Sequence, residues 1–177
     1  MDETTLVNEC LKGSPKAQKT LFEYFAPRMM GVCLRYLKEE ERAQDALQDG
    51  FVKVFSKLKD YKNEGVLEAW IRRVMVNTCL DQLRKDSKFK DSISVDDIGY
   101  KLEHQDYIAE RLMAEDLMKM VQNMPNGYRV VFNMYAIEGY SHQEIAEHLG
   151  VTESTSKSQY LRARAYLRER IEKKEVK

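Results

Sequence analysis

The sequence predicts an all-α protein of two small helical domains joined by a linker. Apolar residues recur at three- and four-residue steps through most of the chain, as a buried helix face requires, and no run alternates in the two-residue rhythm of a strand. Only 3 prolines and 8 glycines interrupt 177 residues, and several of them stand where the periodicity breaks. That length suits one domain or two of modest size, each able to bury an ordinary core.

The first element is a short helical pattern in "TTLVNECLKG", ended by Gly13. Ser14 then reads as an N-cap and Pro15 as the first residue of a second helix, where a missing N–H costs nothing. Along that helix Leu21, Phe22, Phe25, Met29, Val32, Cys33, Tyr36 and Leu37 form one apolar stripe. A third helix follows almost at once, with Ala43, Ala46, Leu47, Phe51, Val54, Phe55 and Leu58 as its stripe. "KDYKNEGV" breaks the pattern through Asn63 and Gly65 before a fourth helix runs from about Val66 to Lys85. Short connections between amphipathic helices imply an antiparallel bundle.

"DSKFKDSISVDDIGYKLEHQDY" loses the helical period, turns acidic and reads as a linker. The expected organisation is a first domain at 1–88, a linker at 89–108 and a second domain at 109–177. In the last part helical pattern resumes near Ala109, stops at "NMPNG", resumes from Tyr128 to Ile137 and stops at Gly139.

The most informative phrase is "SHQEIAEHLGVTESTSKSQYLRARAYLR". Ser141 and Glu144 have capping-box spacing, which fixes a helix start. Ile145, Ala146 and Leu149 supply the buried side, and Gly150 is a natural left-handed stop. Thr152 then caps a second helix. Ser156, Tyr160, Ala163 and Leu167 should face the domain core, while Ser154, Ser158, Leu161, Arg162 and Ala165 lie opposite with Lys157 at the flank. A helix-turn-helix sends such a second helix into the major groove, where small residues allow close approach and cations meet base edges and phosphates. A packing corner with a solvated basic face would share much of this pattern.

Composition and charge narrow the alternatives. Lys plus Arg and Asp plus Glu are both 29, so net charge gives no support to nucleic-acid binding. Residues 153–177 nevertheless hold 8 basic against 4 acidic side chains, a local distribution compatible with phosphate contact. Cys10, Cys33 and Cys79 are odd in number with no CxxC pair, which suggests neither a disulfide scaffold nor a zinc knuckle. His142 and His148 lie six apart, about 240° around a helix, unlike the i, i+4 pair of a zinc protease. No nucleophile–base arrangement is evident, so no enzyme, cofactor or metal is expected. No window approaches the roughly 18 apolar residues of a membrane span, and a cytoplasmic protein is expected.

"MPNGYRVVFNMYAIEGYSHQEIAEHLGVTESTSKSQYLRARAYL" closely resembles region 4 of bacterial sigma factors of the extracytoplasmic-function group, the group IV sigma-70-like proteins. The resemblance rests on Pro125, Tyr128, Arg129 and Phe132, on Glu138 and Gly139, on Ser141, Glu144, Ile145 and Ala146, on Leu149 and Gly150, and on Thr155, Lys157, Ser158, Arg162, Ala163, Arg164 and Leu167. "DALQDGFVKVFSKLKDY" and "AWIRRVMVNTCLDQLRK" look like phrases of region 2, in the expected order and spacing. Two departures stand out: Ser156 occupies a position where the family usually has a buried Val, and Gln159 one where it often has Arg.

The resemblance implies a sigma factor that binds core RNA polymerase and directs promoter-specific initiation. Region 2 would dock on the β' clamp helices through Asp45, Gln48, Asp49 and Phe51. It would approach the -10 element through Lys62, Asn63, Trp70, Arg72, Arg73, Asn77 and Arg84, although Trp70 can equally serve as a core anchor. Region 4 would read the -35 duplex through Ser154, Thr155, Lys157, Ser158, Leu161 and Arg162, and meet the β flap. An anti-sigma factor is a further expected partner. The competing expectation is a dimeric helix-turn-helix regulator with a helical N-terminal interaction domain, which the region 2 phrases argue against.

Overall fold

The structure, a computed structural model, describes residues 2–62, 65–93 and 114–175. Every regular element among the described residues is helical. The chain separates into two compact units, Met1–Gln82 and Leu83–Lys177. The division falls within the last turn of a helix, ahead of the expected boundary at 88.

The first unit opens with α1 (Glu3–Leu11), capped by the Asp2 carboxylate, which accepts hydrogen bonds from the backbone of Thr4 and Thr5. Ser14 caps α2 (Pro15–Leu37) as its spacing predicts, its hydroxyl accepting from the Ala17 N–H at 3.4 Å. The turn into α3 (Glu40–Lys57) is tight: Lys38 has φ 67° and ψ −53°, and the Glu39 N–H bonds the Leu37 carbonyl at 2.7 Å. That is a three-residue γ-turn of the strained hand. A 3-10 turn (Leu58–Asp60) ends α3, and α4 (Leu67–Lys85) completes the unit.

Leu21, Phe25 and Met29 of α2, Ala43 and Val54 of α3, and Ile71, Met75 and Cys79 of α4 are buried to within 1%. Gly50 faces Met75 so closely that a β-carbon there would collide with the methionine sulfur and methyl. The missing side chain lets α4 press against α3.

The second unit contains α5 (Ser87–Ile93), α6 (Ala114–Gln122), α7 (Asn126–Phe132), α8 (His142–Leu149) and α9 (Glu153–Glu175). Helix α5 reaches into the first residues of the expected linker. Its start is capped by Asp86, whose carboxylate accepts from the Lys88 N–H at 3.0 Å. Phe89 and Ile93, four residues apart, are both buried, so the segment has an apolar face that its Ser, Lys and Asp content masks. The remainder of the expected linker, and the expected helix start at Ala109, lie outside the described residues.

Val121, Met124, Ala163 and Leu167 form the centre of the second core, with Leu117, Tyr128, Phe132 and Ile171 packed around it. The Arg129 guanidinium is buried and donates to the Met124 carbonyl at 3.2 Å, tying the α6–α7 corner. Helix α7 continues into a π-helical turn (Asn133–Ile137).

Candidate polymerase and nucleic-acid interfaces

On α3, the carboxylates of Asp45 and Asp49 and the amide of Gln48 are exposed on neighbouring turns of one face. Phe51 is not part of that face. It is 3% exposed and its ring meets Phe22 edge-on at 4.7 Å, so it belongs to the core of the first unit. Its place in the apolar stripe of α3, between Leu47 and Val54, is the signal for that role.

The stripe of Trp70, Val74, Asn77, Asp81 and Arg84 lies on the accessible side of α4: the first three are half-buried and the last two exposed. The opposite side is packed through Leu67, Ile71, Met75 and Cys79. Trp70 lies against Tyr61 at 5.5 Å between ring centroids, and the Tyr61 hydroxyl donates to the Gly65 carbonyl at 2.9 Å. This contact folds the loop before α4 onto the helix. Lys62, Arg73 and Arg84 are exposed, and Arg72 is half-buried, 3.7 Å from Glu68. Asn63 lies outside the described residues. Asn77 has a buried side-chain oxygen with no hydrogen-bond partner in the structure. An acceptor left in that state is costly, by about 1–3 kcal/mol.

The helix-turn-helix follows its sequence closely. Ser141 and Glu144 form both halves of the capping box, with the Ser141 N–H donating to the Glu144 carboxylate at 2.8 Å. Gly150 sits at φ 67°, and Thr152 accepts from the Thr155 N–H at 3.0 Å. Ser154 and Lys157 are exposed, and Ser158, Leu161 and Arg162 are half-buried along the same outer side of α9. Thr155 departs from the expectation. It is 5% exposed and its hydroxyl lies 2.9 Å from that of Thr152, so capping turns it inward, away from that outer side.

Three contacts here are not legible from spacing. Ser156 is fully buried, yet its hydroxyl oxygen lies 2.9 Å from His142 Nδ1, which satisfies the polar group in the corner between α8 and α9. The His142 ring also stacks on Tyr135, with centroids 4.3 Å apart and planes 13° from parallel, and Tyr160 packs against both. Gln159 is buried and donates to the Ile93 carbonyl at 3.1 Å, so it serves α5 rather than the outer face.

The local electrostatics are coupled. Lys157 Nζ lies 2.7 Å from the Glu153 carboxylate, one turn back, and that hydrogen bond holds Glu153 below its usual range. Burial depresses the His142 pKa below its ordinary 6.5, with the Lys157 charge adding to the effect and Glu153 opposing it. Among the described residues no group of three or more His, Cys, Asp or Glu side chains could hold a metal ion, and no helix is long and apolar enough to cross a membrane.

Residues 21–89 match the family described as Sigma-70 region 2, and residues 114–167 match Sigma-70, region 4. The two matches together span more than half of the chain, in the order and on the helices described above. The chain belongs to the sigma-70 family. Within it the chain is similar to the ECF RNA polymerase sigma-E factor of Haemophilus influenzae, 23% identical over 183 residues that cover 97% of this chain and 96% of the relative. The fold is also that of solved sigma factors. A structure of CnrH in complex with the cytosolic domain of CnrY matches with a TM-score of 0.51 at 21% identity, over 95% of this chain and 96% of that one. A co-crystal structure of the sigma factor RpoE with the anti-sigma factor NepR from Bartonella quintana matches with a TM-score of 0.50 at 23% identity, over 85% and 94%.

This is therefore an extracytoplasmic-function sigma factor acting in transcription initiation, and the dimeric regulator is not favoured. Sigma factors are not enzymes. The first unit carries the region 2 match up to Gln82, and the second carries its last residues and the region 4 match.

Proposed function

We propose that region 2 docks on the β' clamp helices of core polymerase through Asp45, Gln48 and Asp49, that α4 and its preceding loop engage the -10 element, and that the outer side of α9 reads the -35 duplex. The observation that carries this reading is the accessible face of α9. Ser154 and Ser158 keep it low enough for a groove, and Lys157 and Arg162 supply the cations that phosphates and base edges require.

The α3 face suits a basic partner helix, because two exposed carboxylates one turn apart steer and orient cations. On α4, extruding a base from the stack costs a few kcal/mol, which aromatic and amide groups recover by stacking and hydrogen bonding. Asn77 and Trp70, both half-buried on the accessible side of α4, have the amide and aromatic groups for that capture. Lys62, Asn63, Arg72, Arg73 and Arg84 would hold the strand by its phosphates. This chain supplies recruitment and DNA opening and performs no covalent step, in the cytoplasm where polymerase and promoter meet. The complex of RpoE with an anti-sigma factor supports a comparable inhibitor here.

The test is transcription in vitro with core polymerase and fragmented genomic DNA, with start sites mapped. A shared -35/-10 pair upstream of the starts is the expected result. Failure to co-sediment with core polymerase refutes the reading.

A further inference from the structure

The corner between α8 and α9 holds a titratable ring beside the outer side of α9. His142 Nδ1 lies 2.9 Å from Ser156 Oγ, and Ser156 is fully buried, so this nitrogen is committed inward. Nε2 makes no hydrogen bond among the described residues, and the ring is half-buried, within reach of solvent. Tyr135 of the π-helical turn stacks on it at 4.3 Å, and Tyr160 of α9 meets it edge-on at 5.8 Å.

Ser156 suits two protonation states of that ring. A hydroxyl both donates and accepts, so it can donate to a neutral Nδ1 or accept from a charged imidazole without either helix moving. The Val that the family usually places there could do neither. Ser156 is thus the departure that lets a histidine gain a proton in this corner.

The surrounding groups set the direction. From α9 the charges that reach the ring are Lys157 and Glu153, which pair with each other at 2.7 Å. The π-helical turn contributes the ring of Tyr135, and α9 also that of Tyr160, whose phenol burial pushes up. Burial and Lys157 together keep the imidazole neutral at pH 7 in the free protein. A duplex on the outer side of α9 brings a row of phosphates to Lys157, which follows Ser156 in the chain, and an anion nearby favours the charged form of a histidine.

We propose that His142 is a proton-linked residue of the -35 interface: phosphates arriving at Lys157 draw a proton from solvent onto the imidazole, and the imidazolium, held by Ser156, adds to the cations that bind them. The proposal rests on the -35 reading of α9 above. By reciprocity, acid strengthens promoter binding. The complex holds more protons than its free parts, so affinity rises as pH falls, by at most about tenfold per pH unit for one proton, and levels off once the free ring is itself charged.

The test uses the full chain assembled on core polymerase, with a labelled promoter duplex titrated at several pH values. From about pH 8 to about pH 6 the wild type should gain at least about threefold more affinity than His142→Gln, which keeps a hydrogen-bonding group for Ser156 but takes up no proton. His148→Gln, whose ring lies against Tyr140 instead, should keep the wild-type profile. Exchange of the imidazole C2 hydrogen, followed by mass spectrometry in the unmutated assembly, needs no variant: His142 should titrate at a higher pH with promoter bound than without. A pH profile shared by the wild type and His142→Gln overturns the proposal, and so does a His142 titration that stays in place or moves down on binding. An assembly that binds no promoter at any pH refutes the sigma reading, and the proposal falls with it.

Discussion

His142 Nδ1 and Ser156 Oγ lie 2.9 Å apart, across the corner between the two helices of the helix-turn-helix. Ser156 is fully buried, so without the imidazole its hydroxyl would be an orphan in the core. The pair therefore fixes the angle at which α9 leaves α8. A double-mutant cycle with His142→Phe and Ser156→Ala should give a coupling energy of about 0.5–1.5 kcal/mol in urea denaturation followed by circular dichroism. Strictly additive losses would mean that the pair contributes nothing.

The same histidine predicts a pH dependence. Its pKa in the folded protein is depressed, first by burial and then by Lys157, so the unfolded chain binds the extra proton more readily. Stability should therefore rise with pH between the depressed value and 6.5, and fall as the solution is acidified through that window. His142→Gln should flatten the dependence of the region 4 unfolding midpoint. Lys157→Ala should narrow the window from its lower end.

Lys157 and Arg162 should each matter for -35 duplex. Replacing either with Ala is expected to weaken binding and to lower the slope of log affinity against log salt by about 1 for each phosphate that is no longer neutralised. Glu153→Gln should act oppositely, strengthening binding severalfold at low salt, since Glu153 competes with phosphate for Lys157. Anisotropy titrations with a -35 duplex at several salt concentrations separate these outcomes.

Asn77→Ala should leave the closed complex almost intact and reduce the open complex by about tenfold, roughly 1.4 kcal/mol and so only a part of the few kcal/mol that base extrusion costs. Permanganate reactivity of -10 thymines measures the second quantity and gel shift on duplex the first. Equal losses in both would remove Asn77 from base capture.

Asp45→Lys with Asp49→Lys should lower affinity for core polymerase by about tenfold or more while the helical signal is retained, because both carboxylates are exposed. Phe51→Ala should do the reverse. It should cost about 3–5 kcal/mol of region 2 stability through the cavity left against Phe22. Any loss of polymerase binding should then follow the loss of fold, as comparison of sedimentation with denaturation would reveal.

Local signals made much of this architecture readable. Ser14 before Pro15, Ser141 three residues before Glu144, and Gly150 after Leu149 are relationships between neighbours, and the chain places them where spacing predicts. The two faces of α4 followed in the same way from helical period. What escaped was non-local or too short. Seven residues of α5 give period analysis almost nothing to work on, and Gln159 is buried by a partner 66 positions away. Phe51 and Thr155 stand close in sequence to outward-facing residues such as Asp49 and Ser154, although an apolar stripe claims the first and a helix cap the second.

Trp70 is the only tryptophan in the chain, and it lies beside Tyr61 on the half-buried side of α4. Region 4 is rich in tyrosine, with Tyr135 and Tyr160 around His142, but its described residues include no indole. Tryptophan emission is therefore an optical label built into region 2 alone, bright on the lobe that would meet single-stranded DNA and silent on the lobe that would meet duplex. The two encounters can be told apart by colour and quenching in the unmodified protein.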